Sequence, residues 1–162
     1  MNNDNTSIKL FQAALAIAIT GLFILPGSAG FSQIQDNDFG RSMPLGGTTI
    51  YVDDDNTAGP WDGTSQHPYR FIQDGVDAAV GGDTVYVLNG SYPENVVITV
   101  SLTLAGESTE STDIDGRGFG TVLNIFAEGV TVTGFTITHC GSNPNNAGIL
   151  IHAPYNVISE NN

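Results

Sequence analysis

The chain has 162 residues and carries 4 Lys plus Arg against 17 Asp plus Glu, for a formal net charge of −13. Such an acidic surface excludes nucleic acid as a partner and disfavours anionic membranes, both of which require Lys and Arg, while leaving cations and neutral glycans open. A single cysteine, Cys140, excludes an intrachain disulfide and any C-x-x-C site, so stability must come from burial and backbone pairing.

Residues 1–29 read as a secretory signal peptide. Lys9 precedes an apolar run over 10–25 broken only by Gln12 and Thr20, and Pro26-Gly27-Ser28-Ala29 supplies the small residues a signal peptidase prefers. Removing them takes away one charge of each sign, Asp4 and Lys9, so the mature chain keeps the whole imbalance. The expected location is secreted or cell-surface, with the periplasm as a variant, and an uncleaved signal segment is the one route to a membrane. Residues 30–47 show neither a 2.0 nor a 3.6 period and read as a flexible spacer.

A folded unit is expected over 48–162. It opens on the β-type run Thr49-Ile50-Tyr51-Val52 and stops at Asp53-Asp54-Asp55, three adjacent carboxylates that cannot all be buried. A loop follows through Asn56, Gly59-Pro60, Asp62-Gly63 and His67-Pro68, each a turn signal. Pro68 suits a first helical position, and Ile72, Val76, Ala79 and Val80 form an apolar stripe ended by Gly81-Gly82, which predicts one helix over 68–80. Gly75 inside it costs up to about 1 kcal/mol relative to Ala, so the helix must depend on packing its stripe.

From Asp83 onward come eight short β runs at 84–88, 96–100, 102–104, 122–125, 130–132, 135–137, 149–151 and 157–158, too dense for helical crossovers. Few two-residue hairpin turns separate them, which argues against a meander. A parallel solenoid fits: brief strands pair with their equivalents one coil later, and Val, Ile, Leu and Phe point inward. Residues 130–138 alternate apolar side chains with Thr on both sides of Gly134. The helix over 68–80 then covers the apolar end of the first coil. The closing run Asn156-Val157-Ile158-Ser159-Glu160-Asn161-Asn162 reads as a coil in progress, so the expectation is a truncated solenoid whose C-terminal end is covered by a further solenoid segment or a partner.

The stretches Tyr51-Val52-Asp53, His67-Pro68-Tyr69, Gly82-Asp83-Thr84-Val85-Tyr86-Val87 and Gly90-Ser91-Tyr92-Pro93-Glu94-Asn95 resemble the N-terminal region of right-handed parallel β-helix proteins of the pectin-lyase-like superfamily. Ile114-Asp115-Gly116 and Val132-Thr133-Gly134-Phe135-Thr136-Ile137 look like ordinary rungs of that architecture. The resemblance implies an all-β, right-handed parallel β-helix with a short N-terminal capping helix. It does not choose among lyases, hydrolases, carbohydrate-binding modules and adhesins, because function lives in sites rather than folds.

Several side chains are candidates for chemistry. Asp53, Asp54, Asp55 and Asp62, with Asn56, gather hard oxygen ligands of the kind Ca²⁺ takes, without the spacing of an EF-hand loop. Trp61 and Tyr69 are candidates for stacking on extracellular glycans, Trp61 being placed in the loop that Gly59 and Gly63 bound. Asp113 and Asp115 share a face if extended, as a hydrolase pair would need, but the flanking glycines point to a turn. Arg117 is the one arginine placed to serve a lyase. His139 and Cys140 are metal-competent, yet on a strand they face opposite ways, and a buried cysteine with surface histidines is the plainer expectation. No catalytic residue is assigned. The reading is a non-catalytic structural or carbohydrate-binding module; the alternative is the N-terminal fragment of a polysaccharide lyase or glycoside hydrolase whose catalytic rungs lie beyond residue 162.

Overall fold

A computed structural model describes residues 47–162, and the segment expected to be a signal peptide and all but the end of the expected spacer lie outside the described residues. Eleven short strands and one helix follow in the order β1 (Thr49–Val52), α1 (Ile72–Ala78), β2 (Thr84–Val87), β3 (Gly90–Tyr92), β4 (Val96–Ile98), β5 (Thr103–Gly106), β6 (Thr112–Asp115), β7 (Leu123–Ile125), β8 (Thr131–Thr133), β9 (Thr136–Thr138), β10 (Ile149–Ile151) and β11 (Val157–Ser159). They form three sheets, β1-β2-β5-β8-β11, β3-β6-β9 and β4-β7-β10, and every pairing is parallel. From β2 onward the chain visits the three sheets in fixed rotation, a connectivity compatible with a solenoid.

Register turns the alternation of the sequence into columns. Ile50, Val85, Leu104, Val132 and Ile158 stack in the first sheet, Tyr92, Ile114 and Ile137 in the second, and Val96, Leu123 and Ile149 in the third. These columns meet in one apolar core that Val52, Ile98, Ile125 and Phe135 complete. Each fully buried Val, Leu or Ile contributes about 1.5–3 kcal/mol over an exposed one. The alternate positions face outward as a column of Thr49, Thr84, Thr103 and Thr131, beside which Tyr51 and Tyr86 meet edge to face at 6.0 Å.

The helix begins later than its sequence predicts. Pro68 lies ahead of it in extended chain, where Tyr69 bridges in parallel to Val52, and α1 runs only over Ile72–Ala78. The register of the first sheet wins there, because Tyr69 N–H donates to Tyr51 O at 2.9 Å and Asp53 N–H to Tyr69 O at 2.8 Å. Ile72, Val76 and Ala79 do face the core, whereas Val80 is exposed beyond the helix end. Phe71, at the N-cap, offers no side-chain oxygen; the cap arrives from Glu94, whose Oε1 accepts Ile72 N–H at 2.8 Å and Oε2 accepts Gln73 N–H at 3.1 Å.

Strands β3 and β6 are absent from the sequence expectation. Residues 112–115 form the central strand of their sheet, paired with β3 and β9, rather than a turn, with Ile114 inward and Asp113 and Asp115 on the outer face. Their glycine neighbour Gly116 bends the chain only after the strand, where a Cβ would meet His139 O and Val122 Cγ2, each at 2.8 Å. No helix among the described residues is long and apolar enough to cross a membrane.

Candidate functional site

Two regions carry the exposed chemistry: the loop between β1 and α1, and the face of the β3-β6-β9 sheet with the loops that leave it.

In the first region the acidic residues are spread apart by the backbone groups they serve. Asp53 Oδ1 accepts Asp55 N–H at 3.0 Å, and Asp54 Oδ2 accepts Ser91 N–H at 3.3 Å across to β3. Asp62 Oδ1 accepts from Thr64 N–H at 3.0 Å and Thr64 Oγ1 at 2.7 Å, while Oδ2 lies 3.4 Å from His67 Nδ1. The Thr64 hydroxyl bond, more than the histidine, holds the Asp62 carboxyl below its ordinary range. Asp55 sits in the turn between Asp53 and Asn56. Among the described residues no group of three or more His, Cys, Asp or Glu is placed to hold a metal ion.

The two aromatic candidates part company. Trp61 is 49% exposed, and its Nε1–H donates to Asn56 O at 2.8 Å, with Gly59 against the ring face. Asn56 in turn donates through Nδ2 to Pro68 O at 2.7 Å, so the indole is fixed on a loop that is itself tied down. Tyr69 is half-buried and packs against the core, its ring over Gly63, where an added Cβ would meet Cε2 at 2.8 Å. Of these two candidates, Trp61 is the one that offers its ring to a ligand.

On the second region, Asp113 and Asp115 point outward from β6, and both are engaged by the next coil. Thr138 Oγ1 donates to Asp113 Oδ1 at 3.1 Å. Asp115 Oδ1 accepts Arg117 N–H at 2.7 Å and lies 3.0 Å from His139 Nδ1. Arg117 and His139 both adopt left-handed backbone, with φ of 53° and 50°. At His139 this bend breaks the strand alternation that would have set its side chain opposite Cys140, and Cys140 is exposed rather than buried. The Asp115–His139 pair escaped sequence reasoning, as did Phe126 stacked on His152 at 4.2 Å with rings 1° from parallel. Both pairs join residues one coil apart, and the signal for them is the coil length, which varies.

Three side-chain contacts explain the polar residues of the Gly90–Asn95 segment. Tyr92 is buried, and its hydroxyl donates to Leu88 O at 2.9 Å while accepting Asp54 N–H at 3.3 Å. Burial is the largest cause of its upward-shifted pKa, reinforced by the charges of Asp54, Asp53 and Glu94. Glu94 caps α1, and Asn95 Nδ2 donates to Phe119 O and Thr121 O, each at 2.8 Å. Contacts from Tyr92, Glu94 and Asn95 thus join this segment to the acidic loop, the helix and the following coil.

Comparison with protein-family models, with curated proteins and with solved structures finds no match for this chain.

Proposed function

We propose that the protein is exported and serves as a right-handed parallel β-helix module, similar to the N-terminal part of pectin-lyase-like proteins, with a structural or carbohydrate-binding role outside the cell. Right-handedness rests on the strong bias of β-strand crossovers between parallel strands. The observation that carries the binding role is Trp61, a half-exposed ring held rigid by Asn56, which suits stacking on a sugar face. The carboxylates of the outer faces are occupied by backbone and side-chain donors, an arrangement that favours a scaffold over an acid–base pair.

A second reading makes the chain part of a lyase or hydrolase whose catalytic coils lie beyond residue 162, in keeping with outward carboxylates Asp113 and Asp115 that are already engaged on β6. In either case a partner docked on β9, β10 and β11 draws support from their having a strand neighbour on one side only and from Ile137, Ile149 and Ile158 being only partly buried. The purified mature chain should bind insoluble polysaccharide in a sedimentation assay without releasing reducing ends. Turnover abolished by a single point substitution would overturn the non-catalytic reading, and reading the adjoining coding sequence decides whether catalytic coils follow.

A further inference from the structure

Asn89-Gly90-Ser91 has the pattern of an acceptor for N-linked sugar: an asparagine, a residue other than proline, and a hydroxyl two positions on. The other such triplet, Asn5-Thr6-Ser7, lies in the segment expected to be a signal peptide, so residues 48–162 hold a single acceptor. Triplets of this kind also arise by chance, and the fold decides whether one can carry a sugar. Asn89 is exposed at the bend between β2 and β3, and Ser91 is the exposed residue of β3.

The Asn89 carboxamide is held by its oxygen alone. Oδ1 accepts the Ser111 hydroxyl at 2.6 Å and the Thr112 hydroxyl at 3.4 Å, while Nδ2 makes no hydrogen bond among the described residues. Asn56, Asn95 and Asn161 do the reverse, each donating Nδ2 to two backbone carbonyls. A sugar on any of those would cost one of the two bonds. On Asn89 it costs none, because glycosylation replaces a hydrogen of Nδ2 and keeps the oxygen as an acceptor. The competing chemistry of an Asn-Gly pair is attack of the glycine nitrogen on the asparagine carboxamide with loss of ammonia. That nitrogen is engaged here, since Gly90 N–H donates to Ser111 O at 2.8 Å.

We propose that Asn89 is a site of N-linked glycosylation, modified as the chain is exported. The donor is an oligosaccharide joined through phosphate to a membrane lipid. A bond forms between Asn89 Nδ2 and the anomeric carbon, the bond from that carbon to the phosphate oxygen breaks, and the displaced Nδ2 proton leaves with the lipid phosphate. The Ser91 hydroxyl, unbonded among the described residues, is the group a transferase reads beside the acceptor. This rests on the export reading above and leaves the Trp61 ring as the binding surface.

The test recovers the full chain separately from the cells and from the medium and envelope of its source organism, and maps the peptide spanning Asn89 by mass spectrometry. Wild type, Asn89→Gln, Ser91→Ala and Ser91→Thr are produced in the same organism, with thermal melts to verify that each is folded. The exported wild type is expected to carry sugar on Asn89, Asn89→Gln and Ser91→Ala to lose it completely, and Ser91→Thr to keep it. An exported chain with bare Asn89, or with aspartate there and no sugar, overturns the inference and leaves export standing. Sugar that persists on Asn89 in Ser91→Ala overturns recognition through the triplet. A chain found only inside the cells overturns the export reading and the inference with it.

Discussion

The side-chain amide of Gln73 pairs with the backbone of Val97 as another strand would: Val97 N–H donates to Gln73 Oε1 at 2.8 Å, and Gln73 Nε2 donates to Val97 O at 3.2 Å. It thereby seals the N-terminal edge of the β4-β7-β10 sheet from α1. Asp54 does the same for β3 through Ser91 N–H, and Gly63 and Tyr69 do it for β1. All three leading edges are closed, each by a different device, which guards them against pairing with another chain. Gln73→Ala should cost about 1 kcal/mol and specifically accelerate hydrogen exchange at the Val97 amide. An unchanged exchange rate there would mean that water substitutes for the amide without loss.

Gly75 sits inside α1, where helix propensity favours Ala by up to about 1 kcal/mol. The packing says otherwise. A Cβ at Gly75 would lie 2.8 Å from Val52 Cγ2 and 3.1 Å from Val85 Cγ1, both on fully buried side chains with nowhere to move. Overpacking of this kind costs about 1–3 kcal/mol. Gly75→Ala is therefore expected to lower the melting temperature, and a rise would show that the helix floats free of the core.

Glu94 links pH to the helix cap. Burial raises its pKa above the ordinary 4.5, outweighing the two backbone N–H bonds that pull it down, with Asp74 raising it further and Arg117 lowering it. The native state thus holds this proton more tightly than the unfolded chain does. Its contribution is fully present below pH 4.5 and is lost as pH rises through the raised native value. Glu94→Gln keeps one acceptor oxygen and should remove that slope, whereas Glu94→Ala loses the cap for about 1 kcal/mol. Thermal melts from pH 4 to 7 on the three proteins compare the slopes directly.

Asp83 works in the opposite sense. Its buried carboxylate accepts Val80 N–H at 2.8 Å on Oδ2, and Thr48 N–H at 2.8 Å and Thr48 Oγ1 at 3.0 Å on Oδ1. The Val80 bond is the largest influence, and against the cost of burial the net effect lowers the pKa below 3.8. This stability is present above pH 3.8 and lost as pH falls through the native value. Asp83→Asn sets an amide N–H₂ against one of these donors, so it should cost about 2 kcal/mol at neutral pH and reduce the acid sensitivity.

The loop carboxylates make a prediction for calcium. Asp53, Asp54 and Asp62 each serve a different backbone donor, and no three-carboxylate group converges among the described residues. Millimolar Ca²⁺ is expected to leave the melting temperature unchanged. A saturable rise would reveal ligands drawn together by the ion, since a ligand bound only by the folded state stabilises it.

Some of this was legible in the sequence because it is a property of neighbouring residues. Short β-type runs located β1 and β10 at their bounds, alternation of apolar residues with Thr placed β8 and β9 within a residue, and the run of carboxylates after Val52 marked the first loop. Strands β3 and β6 were not legible, since each places one large apolar side chain inward, Tyr92 or Ile114, and one such residue makes no period. The helix start was misplaced because Pro68 satisfies a local rule while the Tyr69 backbone satisfies a distant one.

Tertiary structure alone decided which residues meet across coils. Parallel pairing is made by backbone groups that are the same at every residue, and the partners Thr49, Thr84, Thr103, Thr131 and Val157 fall at unequal intervals because the corner loops differ in length. Hence the sequence by itself determined that strands exist and which side chains they bury, and it named Trp61 as an exposed ring. That His139 rests on Asp115 and that Glu94 caps a helix whose first residue lies 22 positions before it both follow from strand register, which only the tertiary structure sets.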